Sequence, residues 1–125
     1  SHKLEHELSA LYDIAHGAGL AIVFPAWMKY TLPRGGAKKL AQFATRVFGV
    51  PEDFGSEEEI AAEGIRRLED FYRSLDMPVR LSEIHIDDRD FDRMAERCAA
   101  MVGGTVGAFV PLKAADCRKI YELAL

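Results

Sequence analysis

Three of the four histidines stand together near the start of the chain, in SHKLEHELSALYDIAHGAG, at His2, His6 and His16. Imidazole carries protons near neutral pH and binds divalent cations, so spacing decides which chemistry the group could do. Three arrangements are open. In the first, His2 and His6 merely share a solvated helix face, one turn apart. In the second, HKLEH is an H-x-x-E-H pattern, the inverted zincin motif. His2 and His6 then close on one zinc ion and Glu5 serves as general base. That pattern fixes few positions, and no third ligand stands out among the many glutamates. In the third arrangement His2 and His16 are the metal pair and His6 is left for another task. An unbroken helix would hold the two roughly 21 Å apart, at about 1.5 Å per residue, whereas ligands of one cation sit side by side. The third arrangement therefore demands a chain reversal between Tyr12 and His16, near Asp13, Gly17 and Gly19.

The elements that must position these residues are helical. Apolar residues recur at helical spacing almost throughout and strand-like alternation is scarce, which predicts an all-α, multi-helix bundle. A first helix is expected from His2 to Tyr12, with Leu4, Leu8 and Leu11 on one stripe and His2, His6, Ser9 and Asp13 nearly opposite. GLAIVFPAWM is about half of what a bilayer needs and predicts a buried second helix, kinked or segmented at Pro25. LPRGG is a loop by composition. AKKLAQFATRVFG predicts a third helix ending at Gly49, with Leu40, Phe43, Ala44 and Val47 on one face. In GSEEEIAAEGIRRLEDFYRSLDMP, Ser56 and Glu59 form a capping box, and Ile60, Leu68, Phe71 and Leu75 mark the apolar side of a fourth. LSEIHIDDRDFDRMAERCAAM and LKAADCRKIYELAL predict one helix each, with GGTVGAFVP as the loop between them.

The chain has 125 residues, 49% hydrophobic and 29% charged, with a formal net charge of −4. These values describe one globular domain with a genuine core. No basic stripe suggests nucleic acid, and no run is long enough to span a membrane or shaped like a signal peptide. A cytoplasmic location is the default. Cys98 and Cys117 lack CxxC spacing and are expected to be reduced and structural.

HKLEHELSALYDIAHGAGLAIVFPAWMKY closely resembles the histidine-rich signature of the iron-containing (group III) alcohol dehydrogenases, in particular the branch of butanol dehydrogenases and aldehyde reductases. The likeness continues through KKLAQFATRVFGV, EEIAAEGIRRLEDFYRSLDMPVRLSEIHI and GGTVGAFVPL to IYELAL. The resemblance implies the helical C-terminal domain of the dehydroquinate synthase-like fold. It further implies a divalent metal, Fe2+ or Zn2+, held by one aspartate and three histidines below NAD(P), with hydride moving between the nicotinamide and an alcohol or aldehyde. Carried over by position, His2 and His16 match the last two metal ligands. His6 matches the histidine that is not a ligand but faces the nicotinamide and the reacting centre. The remaining ligands and the Gly-rich cofactor-binding segments lie upstream in the family. PRGG and GGTVG lack the strand–turn–helix setting that such segments need.

Residues 1–125 are therefore expected to be a single α-helical, metal-binding domain from the C-terminal part of a longer, homodimeric enzyme, without its N-terminal cofactor-binding domain. Alone it should be inactive, and metal-free or carrying an adventitious ion, because two imidazoles bind a metal weakly compared with four ligands. The alternatives are the zinc metallopeptidase and a helical interaction module that uses no metal. His6 separates the first two: in the full-length protein, His6→Ala should lower turnover while metal content stays near that of the parent. Metal analysis of the purified variant checks this, and a loss as complete as that of His2→Ala would reverse the assignment.

Overall fold

The computed structural model describes residues 2–100 and 113–125, with side chains from residue 4 onward. Six α-helices occur among the described residues, and no strands: α1 (His2–Tyr12), α2 (His16–Thr31), α3 (Ala37–Phe48), α4 (Glu57–Ser74), α5 (Phe91–Ala100) and α6 (Ala114–Ala124). Short 3-10 turns at Leu32–Arg34 and Leu81–Ile84 join α2 to α3 and follow α4. The all-α expectation holds. The GGTVGAFVP loop lies outside the described residues.

α2 is the shared wall of two hydrophobic clusters. Its residues Ile22, Val23, Ala26 and Tyr30 pack with Leu4 and Leu8 of α1, Phe91, Met94 and Cys98 of α5, and Cys117, Ile120 and Tyr121 of α6. Met28 turns the other way, against Leu40 and Ala44 of α3 and Ile60, Ile65 and Leu68 of α4. A helix buried on two sides must be apolar nearly all round, which is why GLAIVFPAWM carries so little charge. The helix continues across Pro25 without being segmented.

Polar ties hold the ends of this packing. The Tyr121 hydroxyl, fully buried, donates to the Leu4 carbonyl at 2.7 Å and couples α6 to α1. Tyr12 at the end of α1 donates to Asp90 at 2.8 Å, just before α5. Burial, together with that carboxylate, pushes the Tyr12 hydroxyl up to about 12. Each such bond is worth about 1 kcal/mol. Glu69 of α4 is nearly buried and pairs with Lys29 of α2 at 3.0 Å and with Arg80. Burial alone would raise its carboxyl, but hydrogen bonds from Arg80 and Lys29 outweigh burial and hold it below the usual glutamate range.

The Ser56 capping box forms, with the Ser56 hydroxyl accepting from the Glu59 amide and the Glu59 carboxylate accepting from the Ser56 amide, both at 3.2 Å. Three expectations need correction. LSEIHIDDRDFDRMAERCAAM is not one helix: Asp87 accepts from the Arg89 amide at 3.1 Å, and such local side-chain bonding competes with helix, so α5 starts only at Phe91. On α4 the inward position after Leu68 goes to Tyr72, leaving Phe71 and Leu75 half exposed. On α3 Phe43 and Phe48 pack against the core while Val47 is 62% exposed. Cys98 and Cys117 are buried and form no disulfide, as expected. No described helix is long and apolar enough to cross a membrane.

Helices α3 and α4 approach tightly at Gly64, where an added Cβ would lie 2.4 Å from the Ala44 Cβ. Gly64→Ala should therefore lower the thermal midpoint of the full-length protein by several degrees, because overpacking of about 1–3 kcal/mol exceeds the helix-propensity gain of about 1 kcal/mol. A pH series tests the Glu69 cluster. A carboxyl lowered by folding contributes stability that is full above its unfolded pKa and is lost as pH falls through the folded one. The midpoint difference between the parent and Glu69→Gln should thus be greatest near neutrality, shrink as pH falls below the ordinary glutamate range, and vanish only below the lowered value that Glu69 has in the folded protein.

Candidate metal centre

α1 ends at Tyr12 and α2 begins at His16, so the chain reverses over the three residues between them. Asp13 takes the left-handed conformation, with φ 52°, which aspartate tolerates better than bulkier residues. Its amide donates to the Ser9 carbonyl at 3.0 Å and closes α1. The reversal lays the start of α2 against the first turns of α1.

Three candidate donors converge at this corner. One ligand atom each from Glu5, His6 and His16 lie within 4.8 Å of one another. The His6 and His16 rings are 5.5 Å apart between centroids and tilted by 41°. Both histidines are exposed, whereas Glu5 beneath them is completely buried. With Glu5 as a carboxylate, its two oxygens act only as acceptors: Oε1 accepts from the Ser9 hydroxyl and Oε2 from Nδ1 of His16. The Ser9 hydroxyl also lies 3.2 Å from the Ile14 carbonyl, inside the reversal. Gly19, one turn into α2, faces Glu5 so closely that a Cβ there would lie 2.3 Å from Oε1.

Of the sequence-predicted residues, the structure brings His6 and His16 together. His2 opens α1, and its side chain lies outside the described residues. The general-base role weighed for Glu5 is overturned, because both its oxygens are occupied and none of its surface meets solvent. Sequence reasoning missed Glu5 as a structural partner of His16. The available signal was its place between the leucine stripe and the histidine face, with Ser9 one turn on. Imidazole nitrogens with a carboxylate beside them are the donor set of iron(II) and zinc sites, so the residues present fit a first-row divalent cation.

An all-helical bundle with two imidazoles and a buried carboxylate gathered at a helix–helix corner belongs to the class of helical domains whose side chains could hold a metal ion. The particular family follows from comparison: residues 1–125 match the model of the Fe-containing alcohol dehydrogenase family, C-terminal, and the chain belongs to that family. It is 44% identical over its whole length to "Probable NADH-dependent butanol dehydrogenase 1" of Bacillus subtilis, and 37% identical over 97% of its length to NADH-dependent butanol dehydrogenase A of Clostridium acetobutylicum. The crystal structure of an NADH-dependent butanol dehydrogenase A from Thermotoga maritima superposes on 98% of the chain with a TM-score of 0.86 and 39% identity. The chain spans about a third of these relatives: 32% of the Bacillus protein, 31% of the Clostridium protein and 32% of the Thermotoga chain. Neither the peptidase nor the interaction module finds support among them.

Proposed function

We propose that this chain is part of the metal-binding helical domain of an NAD(P)-dependent alcohol dehydrogenase or aldehyde reductase, whose other two metal ligands lie upstream in the same helical domain and whose nicotinamide cofactor is bound mainly by a separate N-terminal domain. The observation that carries the proposal is the convergence of His6 and His16 across a reversal that only the metal arrangement of His2 and His16 requires. The family and the names of its NADH- and NADPH-dependent relatives support the reaction class.

In this reading His2 and His16 hold the cation, Fe2+ or Zn2+. The bound cation supplies Lewis acidity toward an alcohol or carbonyl oxygen, and the nicotinamide supplies the hydride chemistry. His16 presents its ring from the first residue of α2, and its side chain is 47% exposed, which leaves it open to the part of the protein beyond this chain. His6 is exposed beside it, one ring away. A ring nitrogen of His6 takes the alcohol proton during oxidation and returns it during reduction, a task suited to imidazole near neutral pH. The buried face of α1 and the clusters around α2 hold both rings without themselves touching substrate.

Full-length protein loaded with Fe2+ or Zn2+ should oxidise NADH or NADPH in the presence of a short aliphatic aldehyde, read by loss of nicotinamide absorbance at 340 nm as about one cofactor per aldehyde reduced. Chelation should abolish turnover, and readdition of metal should restore it. His2→Ala and His16→Ala should each lose both metal and turnover. Turnover that survives complete metal removal would refute the assignment.

A further inference from the structure

We propose that Glu5 is a positioning residue that orients His16 for metal binding: its carboxylate holds Nδ1 of His16, so that Nε2 is the nitrogen left to face the cation. The proposal rests on His16 being a ligand, as proposed above, and goes beyond it by assigning Glu5, Ser9 and Gly19.

The geometry around Glu5 has the marks of a built site. A carboxylate without solvent contact is costly to bury unless hydrogen bonds replace its water. Here the replacements are two: the Ser9 hydroxyl on Oε1 and His16 Nδ1 on Oε2. Ser9 lies one turn along the same helix, so it fixes the carboxylate plane before α2 arrives. Gly19 then supplies the space, since any larger residue would occupy the position of Oε1. Three residues from two helices thus converge on a group that is itself placed to touch one nitrogen of an exposed imidazole.

The chemical consequence follows from the ring. Imidazole can bind a metal through either nitrogen, and rotation about its side-chain bonds would present both. A carboxylate on Nδ1 sets the tautomer, removes one of the two choices and makes the remaining nitrogen a better donor. His16 needs this help more than a ligand in mid-helix would, because it begins α2 directly after an irregular reversal and is half exposed. Glu5 has no exposed surface, so water does not compete directly for the carboxylate that holds His16.

The test uses the full-length protein and Zn2+, with affinity measured by competition against a chromogenic chelator. Glu5→Ala should weaken Zn2+ binding by about 10–100-fold. Glu5→Gln should weaken it less, since the amide oxygen still accepts from Nδ1, and it retains the volume if the alanine variant does not fold. Gly19→Ala, which leaves every polar group in place, should approach the loss of Glu5→Ala by displacing the carboxylate. Circular dichroism and thermal midpoints establish that the variants are folded. In Co2+-substituted protein the visible d–d bands of Glu5→Gln should keep the intensity of the parent, because the number of ligands is unchanged. Parental Zn2+ affinity in Glu5→Gln and Gly19→Ala would overturn the proposal, as would a Co2+ spectrum showing that a ligand has been lost with Glu5. His16→Ala distinguishes the two levels. If it too leaves Zn2+ affinity unchanged, the metal assignment itself has failed and this proposal falls with it. If it abolishes binding while the Glu5 and Gly19 variants bind normally, only this proposal fails.

Discussion

The carboxylate of Glu5, enclosed where α1 meets α2, is the constraint from which much of the remaining arrangement follows. A buried carboxylate needs charge-compatible partners close by, and the two on offer come from Ser9 of the same helix and His16 of the next. They can meet only if the chain reverses within a few residues and only if α2 approaches without a side chain at Gly19. Both conditions hold. The left-handed Asp13 makes the reversal, and the approach it permits sets the position of α2, which walls both hydrophobic clusters.

Because α2 serves both clusters, errors in its placement would be felt everywhere. The polar ties act against that. Tyr121 to the Leu4 carbonyl, Tyr12 to Asp90, and Glu69 between Lys29 and Arg80 each join separate elements, the first fully buried and the others partly so. Directional bonds of this kind add modest stability, but they select one register among the several that a set of apolar helices could share. The exposed imidazoles of His6 and His16 therefore stand on a frame that is packed below and pinned at its edges, which is the condition for holding a cation or a reacting group in one geometry.

Exposure of those rings above a buried carboxylate also separates tasks by depth. Groups that touch a cation or substrate must be reachable, while the group that orients them gains strength from a low local dielectric and from lack of competition by water. A solvated glutamate in the place of Glu5 would exchange His16 for water readily. The same depth explains why the H-x-x-E-H pattern misleads. In a peptidase the glutamate must meet the attacking water, whereas here it is buried beneath the imidazoles with both oxygens engaged by Ser9 and His16, and only its neighbours across the corner reveal that.

What the sequence by itself determined was periodic and local. Helical spacing of apolar residues predicted an all-α bundle and the first helix from His2 to Tyr12, the Ser56–Glu59 box marked the start of α4, and the pairing of His2 with His16 that the family resemblance implied required a break before His16. These depend on contacts within a turn or two of the chain, so the residues that decide them lie side by side in the sequence. Choices between near-equivalent positions were made only by tertiary structure: Tyr72 over Phe71 on α4, Phe43 and Phe48 over Val47 on α3, and a buried role for Glu5. A helix advances about 100° per residue, so a residue on the border of its apolar stripe can face inward or outward at little local cost. The neighbour that arrives from elsewhere settles the matter, and for Glu5 that neighbour is α2, with Gly19 and His16.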